Sequence, residues 1–194
     1  DYLKWLFMLI SPGSSLGGAR PKACVMDGND LWLAKFPSRF DDYDVGAWEY
    51  LVHCMAVDSG IKMAPCRLQR FNSVHHTFLT KRFDRIGIRR RHFASAMTQL
   101  GYCDGDTGVS YLELAQFLVE QGASTRADLA QLWRRIVFNI LVCNSDDHLR
   151  NHGFILADDH SGWILSPAYD INISLGATGL HLNIDEHSNA LELE

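Results

Sequence analysis

At 194 residues, 47% of them hydrophobic and 21% charged, the chain holds enough apolar material for one large domain or two small lobes. Its net charge of −5 excludes a general nucleic-acid binder, whose backbone-facing surface needs an excess of Lys and Arg. Five cysteines (Cys24, Cys54, Cys66, Cys103, Cys143) include no Cys-x-x-Cys pair, which reads as reduced thiols in a cytoplasmic protein.

Leu3 to Ile10 is apolar, short and broken by Lys4. A bilayer crossing needs about 20 residues, and the stretch lacks the basic start and cleavage-like end of a signal peptide. It is expected to be a buried helix or strand, with no membrane contact. The start in mid-pattern and the plain end at Leu193-Glu194 suit a fragment of something longer. Gly13 to Lys22 is a loop of small residues. Its N–H groups could cradle phosphates with Lys22 adding charge. It matches no standard phosphate-loop spacing, and a flexible turn is the alternative.

Two strands, Ala23–Met26 and Leu31–Phe36, are expected around the turn Asp27-Gly28-Asn29-Asp30. Period 2 places Leu31, Leu33 and Lys35 on one face. A lysine in line with two leucines on a core-facing side suggests a charge aimed into a cleft and awaiting an anion. Residues 44–59 read as an amphipathic helix with Asp44 as N-cap, Val45, Trp48, Val52, Met55 and Ala56 as its stripe, and Gly60 as its stop. Glu49 on this helix is the carboxylate that could steady Lys35, the order in which kinases set a strand lysine and a helix glutamate; an ordinary surface pair is the alternative. Strands follow at 66–71 and 76–83, with His75-His76 in a turn. The basic run Arg89-Arg90-Arg91-His92 reads as a solvated edge or as a contact for phosphate or an acidic partner.

Phe93 to Leu100 fits helix and strand equally. Ser110-x-x-Glu113 is a capping box that opens a helix over 111–121, closed by Gly122, and Thr125-x-x-Asp128 resembles a second cap. The next helix carries Leu129, Leu132, Trp133, Ile136, Val137, Ile140 and Leu141 as its stripe. It delivers the chain to Asn144-Ser-Asp-Asp-His-Leu-Arg-Asn151, and a hairpin of strands Gly153–Leu156 and Trp163–Leu165 then leads to Ser166-Pro-Ala-Tyr-Asp170. An Asp, an Asn a short loop later and a second Asp after a hairpin is the layout of phosphoryl-transfer chemistry in protein kinases. In that layout Asp146 takes the proton of a substrate hydroxyl, while Asn151 and Asp170 hold magnesium. Capping residues of a polar loop are the alternative. His148 and His152 are at metal-pair spacing, but Asn151 and Gly153 argue for loop and strand there, so His148 is expected to order the loop by hydrogen bonds.

Taken together, Gly13-Ser-Ser-Leu-Gly-Gly-Ala-Arg-Pro-Lys22, Leu33-Ala-Lys-Phe-Pro37, Phe78-Leu-Thr-Lys-Arg-Phe-Asp-Arg85, Asn144–Phe154 and Leu165–Asp170 resemble the HipA family of serine/threonine kinases, toxins of bacterial toxin–antitoxin pairs. The resemblance covers nearly the whole chain. It implies a two-lobed protein-kinase-like α+β fold, with a strand-rich lobe at 1–90 and a mostly helical lobe at 91–194, incomplete at its C-terminal end. It implies ATP and Mg²⁺ as cofactors. Leu16, Gly17, Gly18, Ala19, Arg20, Pro21 and Lys22 would form the nucleotide loop, and Lys35 would meet the phosphates. Lys81, Arg82 and Phe83 would be the hinge that receives adenine, and His148 would sit beside the nucleotide. Lys81 stands where many relatives carry Glu. Ser15, with Ser14 beside it, matches the family's autophosphorylated serine. A protein substrate in translation, such as an aminoacyl-tRNA synthetase, and a DNA-binding antitoxin are implied by the resemblance alone. The rivals are a catalytically silent nucleotide-binding module and a small-molecule kinase.

Overall fold

A computed structural model describes residues 20–87, 89–174 and 176–191; Leu3–Ile10 and Ser14 to Ala19 lie outside them. The chain divides into two compact units, Asp1–Leu51 with Ala64–Arg89, and Val52–Met63 with Arg90–Glu194. No described helix is long and apolar enough to cross a membrane.

The first unit is strand-rich. An antiparallel sheet runs in the order β1-β2-β4-β3, from β1 (Lys22–Asp27), β2 (Asp30–Lys35), β3 (Cys66–Gln69) and β4 (Thr77–Lys81). Gly28 makes the first turn possible. It has φ +60° at the first central position of a two-residue hairpin, where an L side chain is strained. The nucleotide loop expected over 16–22 is shorter by one residue, because Lys22 is already in β1, directly opposite Lys35.

Along β2 it is Trp32 and Ala34 that are buried, packed with Leu79, Val25 and Phe36. The face of Leu31, Leu33 and Lys35, expected to be the core side, is half-buried instead. Arg67 explains part of the preference, since its guanidinium lies 4.1 Å over the Trp32 ring and seals that face with a cation–π contact.

Helix α1 (Val45–Asp58) starts as expected, with Asp44 Oδ1 accepting the Ala47 N–H at 3.1 Å. Asp44 also takes the N–H of His76 at 3.0 Å and bonds its Nδ1 at 2.5 Å, so His76 is an anchor, not an idle turn residue. The buried stripe of α1 differs from the expected one. Glu49, Val52, His53 and Ala56 are buried, whereas Trp48 and Met55 are 48% and 43% exposed. The reason is that α1 is apolar on nearly every side, so periodicity has no contrast to read.

In the second unit, residues 52–63 belong with the later chain because Val52, Ala56 and Ile61 pack with Phe138, Val142, Ala168 and Ile171. After the short strands β5 (Arg85–Ile86) and β6 (Arg89–Arg90), the ambiguous stretch resolves into both options. β7 (Phe93–Ser95) runs into α2 (Ala96–Leu100), which Ser95 caps through the Thr98 N–H.

Helix α3 (Tyr111–Gln121) opens with Glu113 Oε1 accepting the Ser110 N–H at 3.2 Å. Gly122 ends it for a steric reason, as a Cβ there would lie 2.2 Å from the Leu118 carbonyl oxygen. Helix α4 (Thr125–Leu141) is preceded by Ser124, so Thr125 is its first residue, not its cap. Asp128 caps nothing. It is buried and accepts the N–H of Leu165 at 3.0 Å, and that burial pushes its carboxyl up.

The three-stranded sheet β7-β8-β9, with β8 (Gly153–Leu156) and β9 (Trp163–Leu165), completes the unit. Its core joins Tyr111, Leu114, Leu118, Leu132, Phe154 and Leu182. Burial of each such side chain is worth about 1.5–3 kcal/mol. On α4 the structure departs from the expected stripe. Trp133 and Leu141 are each 66% exposed, while Arg135 and Asn139 are inside.

Candidate active site

The chemistry-bearing residues form two constellations, one in each unit. In the first, Lys35 at the end of β2 gives its Nζ to Glu49 Oε1 of α1 at 2.5 Å, with both side chains about nine-tenths buried. Phe78, opposite Lys35 in β4, holds its ring centroid 6.0 Å from the ammonium. Directly opposed residues of an antiparallel pair share a face, so Lys22 and Lys35 put two ammonium groups on one side of the hairpin.

Arg20 forms a two-pronged pair with Asp41, at 3.0 and 2.5 Å, and the Phe36 N–H bonds the Pro21 carbonyl. These contacts fix the loop's exit onto β1. Further along, Lys81 is paired with Asp30 at 2.7 Å, and Arg82 grips Asp84 through Nε and Nη2 at 2.8 and 2.6 Å. Burial pulls the Asp84 carboxyl up, but Arg82 and Arg85 outweigh it and hold the group below its ordinary range. The backbone N–H groups of Lys81 and Arg82 bond the carbonyls of Pro65 and Leu31.

In the second constellation, α4 ends at Leu141 and the chain turns through Cys143, whose φ is +54°. A 3₁₀ turn (Leu149–Asn151) then carries the polar loop into β8. Asn151 Nδ2 donates to the main-chain carbonyl of Asp146 at 3.0 Å, which turns its Oδ1 the other way. Asp146 is exposed, and no described residue bonds its carboxylate. The hairpin returns the chain to this loop at two points that flank Asp170. Tyr169 Oη donates to the Arg150 carbonyl at 2.7 Å, and the Asn172 N–H reaches Asn144 Oδ1 at 3.4 Å. Asp170 itself has φ +57°, and its Oδ1 accepts from Asn172 Nδ2 at 3.2 Å.

The neighbour of Asp146 has an opposite environment. Asp147 is buried, and its Oδ2 receives Tyr111 Oη at 2.5 Å, Asn139 Nδ2 at 2.7 Å and His152 Nε2 at 2.7 Å. The Arg135 charge adds to these. Burial raises the carboxyl, but these donors outweigh it and hold it below its usual value. Burial also drives the Tyr111 hydroxyl upward, so that it stays a donor.

His148 corrects an expectation. It bonds within the loop through its main chain, its Nδ1 has no partner, and its ring stands edge-on to His181 at 5.8 Å. The histidine whose ring orders the loop is His152. Asp147, Asn139, Asn144 and Arg135 escaped the sequence reading. Arg135 and Asn139 had one signal, polar residues within the apolar helix Thr125–Leu141, while Asn144 and Asp147 stood in the quoted loop without an assigned role.

A model of the HipA-like C-terminal domain matches residues 14–193. HipA of Shewanella oneidensis MR-1, solved with HipB and operator DNA, aligns over 95% of this chain and 51% of its own, at 21% identity and TM-score 0.74. The Helicobacter pylori proinflammatory kinase CtkA aligns over 77% of this chain and 54% of its own, at 17% identity and TM-score 0.60. These likenesses show a two-lobed kinase-like fold. A Haemophilus influenzae protein, named only as a suspected kinase, is 36% identical over 67 residues, 34% of this chain and 19% of its own. The chain thus spans about half the length of the two structures and less of the curated relative.

Proposed function

The chain belongs to the HipA-like C-terminal domain family, and from that premise we propose that it carries the kinase centre of an ATP- and Mg²⁺-dependent serine/threonine protein kinase. One observation carries the reading. The Asn151 amide is clamped to the Asp146 main chain, while the residues on both sides of Asp170 are bonded to the same loop.

Asp146 is exposed, as a base that must meet a substrate hydroxyl has to be. It orients the Ser or Thr hydroxyl and takes its proton. The new bond joins that oxygen to the γ-phosphorus, the bond to the β,γ-bridging oxygen breaks, and ADP leaves. Asn151 Oδ1 and the Asp170 carboxylate are hard oxygen donors of the kind magnesium prefers. A magnesium ion held by these two residues would supply positive charge that offsets the charge developing on the phosphates.

Lys22 and Lys35 are the cationic pair proposed for the phosphates. Like charges opposed across a hairpin are unfavourable, and a polyanion relieves them. Adenine is proposed at Lys81–Phe83 on the family's footing, with the Lys81 and Arg82 N–H groups bonded to the Pro65 and Leu31 carbonyls. Most of the rate enhancement is then positioning and electrostatics. Ser15, with Ser14 beside it, is the proposed site of autophosphorylation. A phosphate there would add roughly two negative charges and oppose ATP. A protein of translation as substrate and a DNA-binding antitoxin as partner are proposed on the family's footing.

The test is incubation of phosphatase-treated protein with Mg²⁺ and γ-labelled ATP, read by intact mass and peptide mapping. Label on Ser14 or Ser15, absent in Asp170→Ala, is the expected result. ATP binding without transfer would favour a silent binding module, and label on metabolites alone a small-molecule kinase. No ATP binding would defeat the reading. Lys35→Met is expected to weaken ATP binding at least tenfold by calorimetry, because it removes a buried phosphate-facing charge. An unchanged affinity would remove Lys35 from the site.

A further inference from the structure

A directed chain of two buried side-chain amides, Asn139 and Asn144, and the half-buried Asn172, reached through its main-chain N–H, joins Asp147 to Asp170. Asn139 Nδ2 donates to Asp147 Oδ2 at 2.7 Å, and Asn144 Nδ2 donates to Asn139 Oδ1 at 3.1 Å. Asn144 Oδ1 then accepts the Asn172 N–H at 3.4 Å, and Asn172 Nδ2 reaches Asp170 Oδ1 at 3.2 Å. Asp147, Asn139 and Asn144 are 3%, 1% and 0% exposed.

The direction of this chain is set at one end. An ionised carboxylate only accepts, so Asn139 must turn its NH₂ toward Asp147 and its oxygen away. Asn144 must then offer its NH₂ to Asn139 and its oxygen to Asn172. Each amide has a single allowed sense, and the sense reaches the Asp170 segment. The side chain of Asn144 is not needed to end α4, because its own N–H already bonds the Asn139 carbonyl at 2.8 Å. The segment it holds needs holding, since Cys143 and Asp170 are both non-glycine residues at positive φ. Such residues persist only where their surroundings over-determine them.

We propose that Asn144, relayed by Asn172, is a positioning residue that aims the Asp170 carboxylate for its metal, with Asn139 and Asp147 setting the sense of the relay. The proposal rests on the kinase reading and its magnesium site. Outer groups of this kind commonly change metal affinity by about 10–100-fold when removed.

The test uses Mn²⁺ as a probe in place of Mg²⁺, followed by electron paramagnetic resonance with saturating ADP. Metal-free ADP binding is measured alongside by calorimetry. Asn144→Asp sets an acceptor against the Asn139 oxygen, and Asn172→Ala removes the last link at a half-buried position. Both are expected to weaken Mn²⁺ at least tenfold and to leave metal-free ADP affinity within about twofold. If Asn144→Asp does not fold, Asn172→Ala decides alone. Wild-type Mn²⁺ affinity in Asn172→Ala would overturn the proposal. Equal weakening of Mn²⁺ and metal-free ADP would mark general loosening and overturn it too. A wild-type chain that binds ADP but no Mn²⁺ would bring down the magnesium reading itself, and this proposal with it.

Discussion

Asp146→Ala is expected to lower phosphoryl transfer about 10²–10⁴-fold, the usual worth of a positioned base, with ATP affinity and melting temperature near wild type. Three features support this separation of effects. The Asp146 side chain is exposed, no described residue bonds its carboxylate, and its structural role passes through its main-chain oxygen, which accepts from Asn151 Nδ2 and the His148 N–H. Alanine keeps that oxygen. Single-turnover rates with γ-labelled ATP, beside calorimetric ATP binding, check it. A variant that transfers phosphate at the wild-type rate would remove Asp146 from the chemistry.

Asp147→Ala, one residue on, is expected to do the reverse damage. It strips the shared acceptor from Tyr111, Asn139 and His152 and leaves the buried Arg135 charge without the carboxylate that favours it most. Breaking a buried charge cluster by removing one member costs about 3–5 kcal/mol. That is a large part of the stability of a small protein. The urea midpoint should fall accordingly, and the folded fraction should also lose metal affinity, because Asp147 sets the sense of the relay to Asp170.

The pH dependence follows from the same group. Its folded pKa lies below the unfolded value, so the unfolded chain takes up the proton first as pH falls. The stability it supplies is complete above the unfolded value of about 3.9 and drains away on acidification through the folded one. Asp147→Asn should flatten that acid limb. A limb as steep as wild type would mean other carboxylates dominate it.

Lys35 with Glu49, and the order Asp146, Asn151, Asp170, were legible as patterns because they lie at recognisable places along the chain, whereas Asp147, Asn139 and Arg135 were not. The strands at 153–156 and 163–165 and the capping residues Asp44 and Ser110 were legible too, since turn and cap chemistry is local. Which side of a helix faces inward was not. Helix α1 is apolar almost all round, so its rotation is set by Glu49 reaching Lys35, a contact between residues far apart in sequence. Helix α4 buries Arg135 and Asn139 in preference to Trp133 and Leu141 because Asp147 and the Ser166 carbonyl need donors. Sequence periodicity ranks residues by their dislike of water. It has no way to see a buried acceptor waiting on another segment.

The left-handed backbone at Asp170 places two independent filters on what may stand there. Glu keeps the charge but lengthens the side chain on a backbone that Asp, Asn and Gly occupy with least strain. Asn and Gly suit the backbone and lose the charge. Under random mutation, therefore, the replacements that spare the fold would be the ones that silence the proposed chemistry. Lineages that lose activity at this position should drift toward Asn or Gly on an intact scaffold, and a return to function runs through the same single residue.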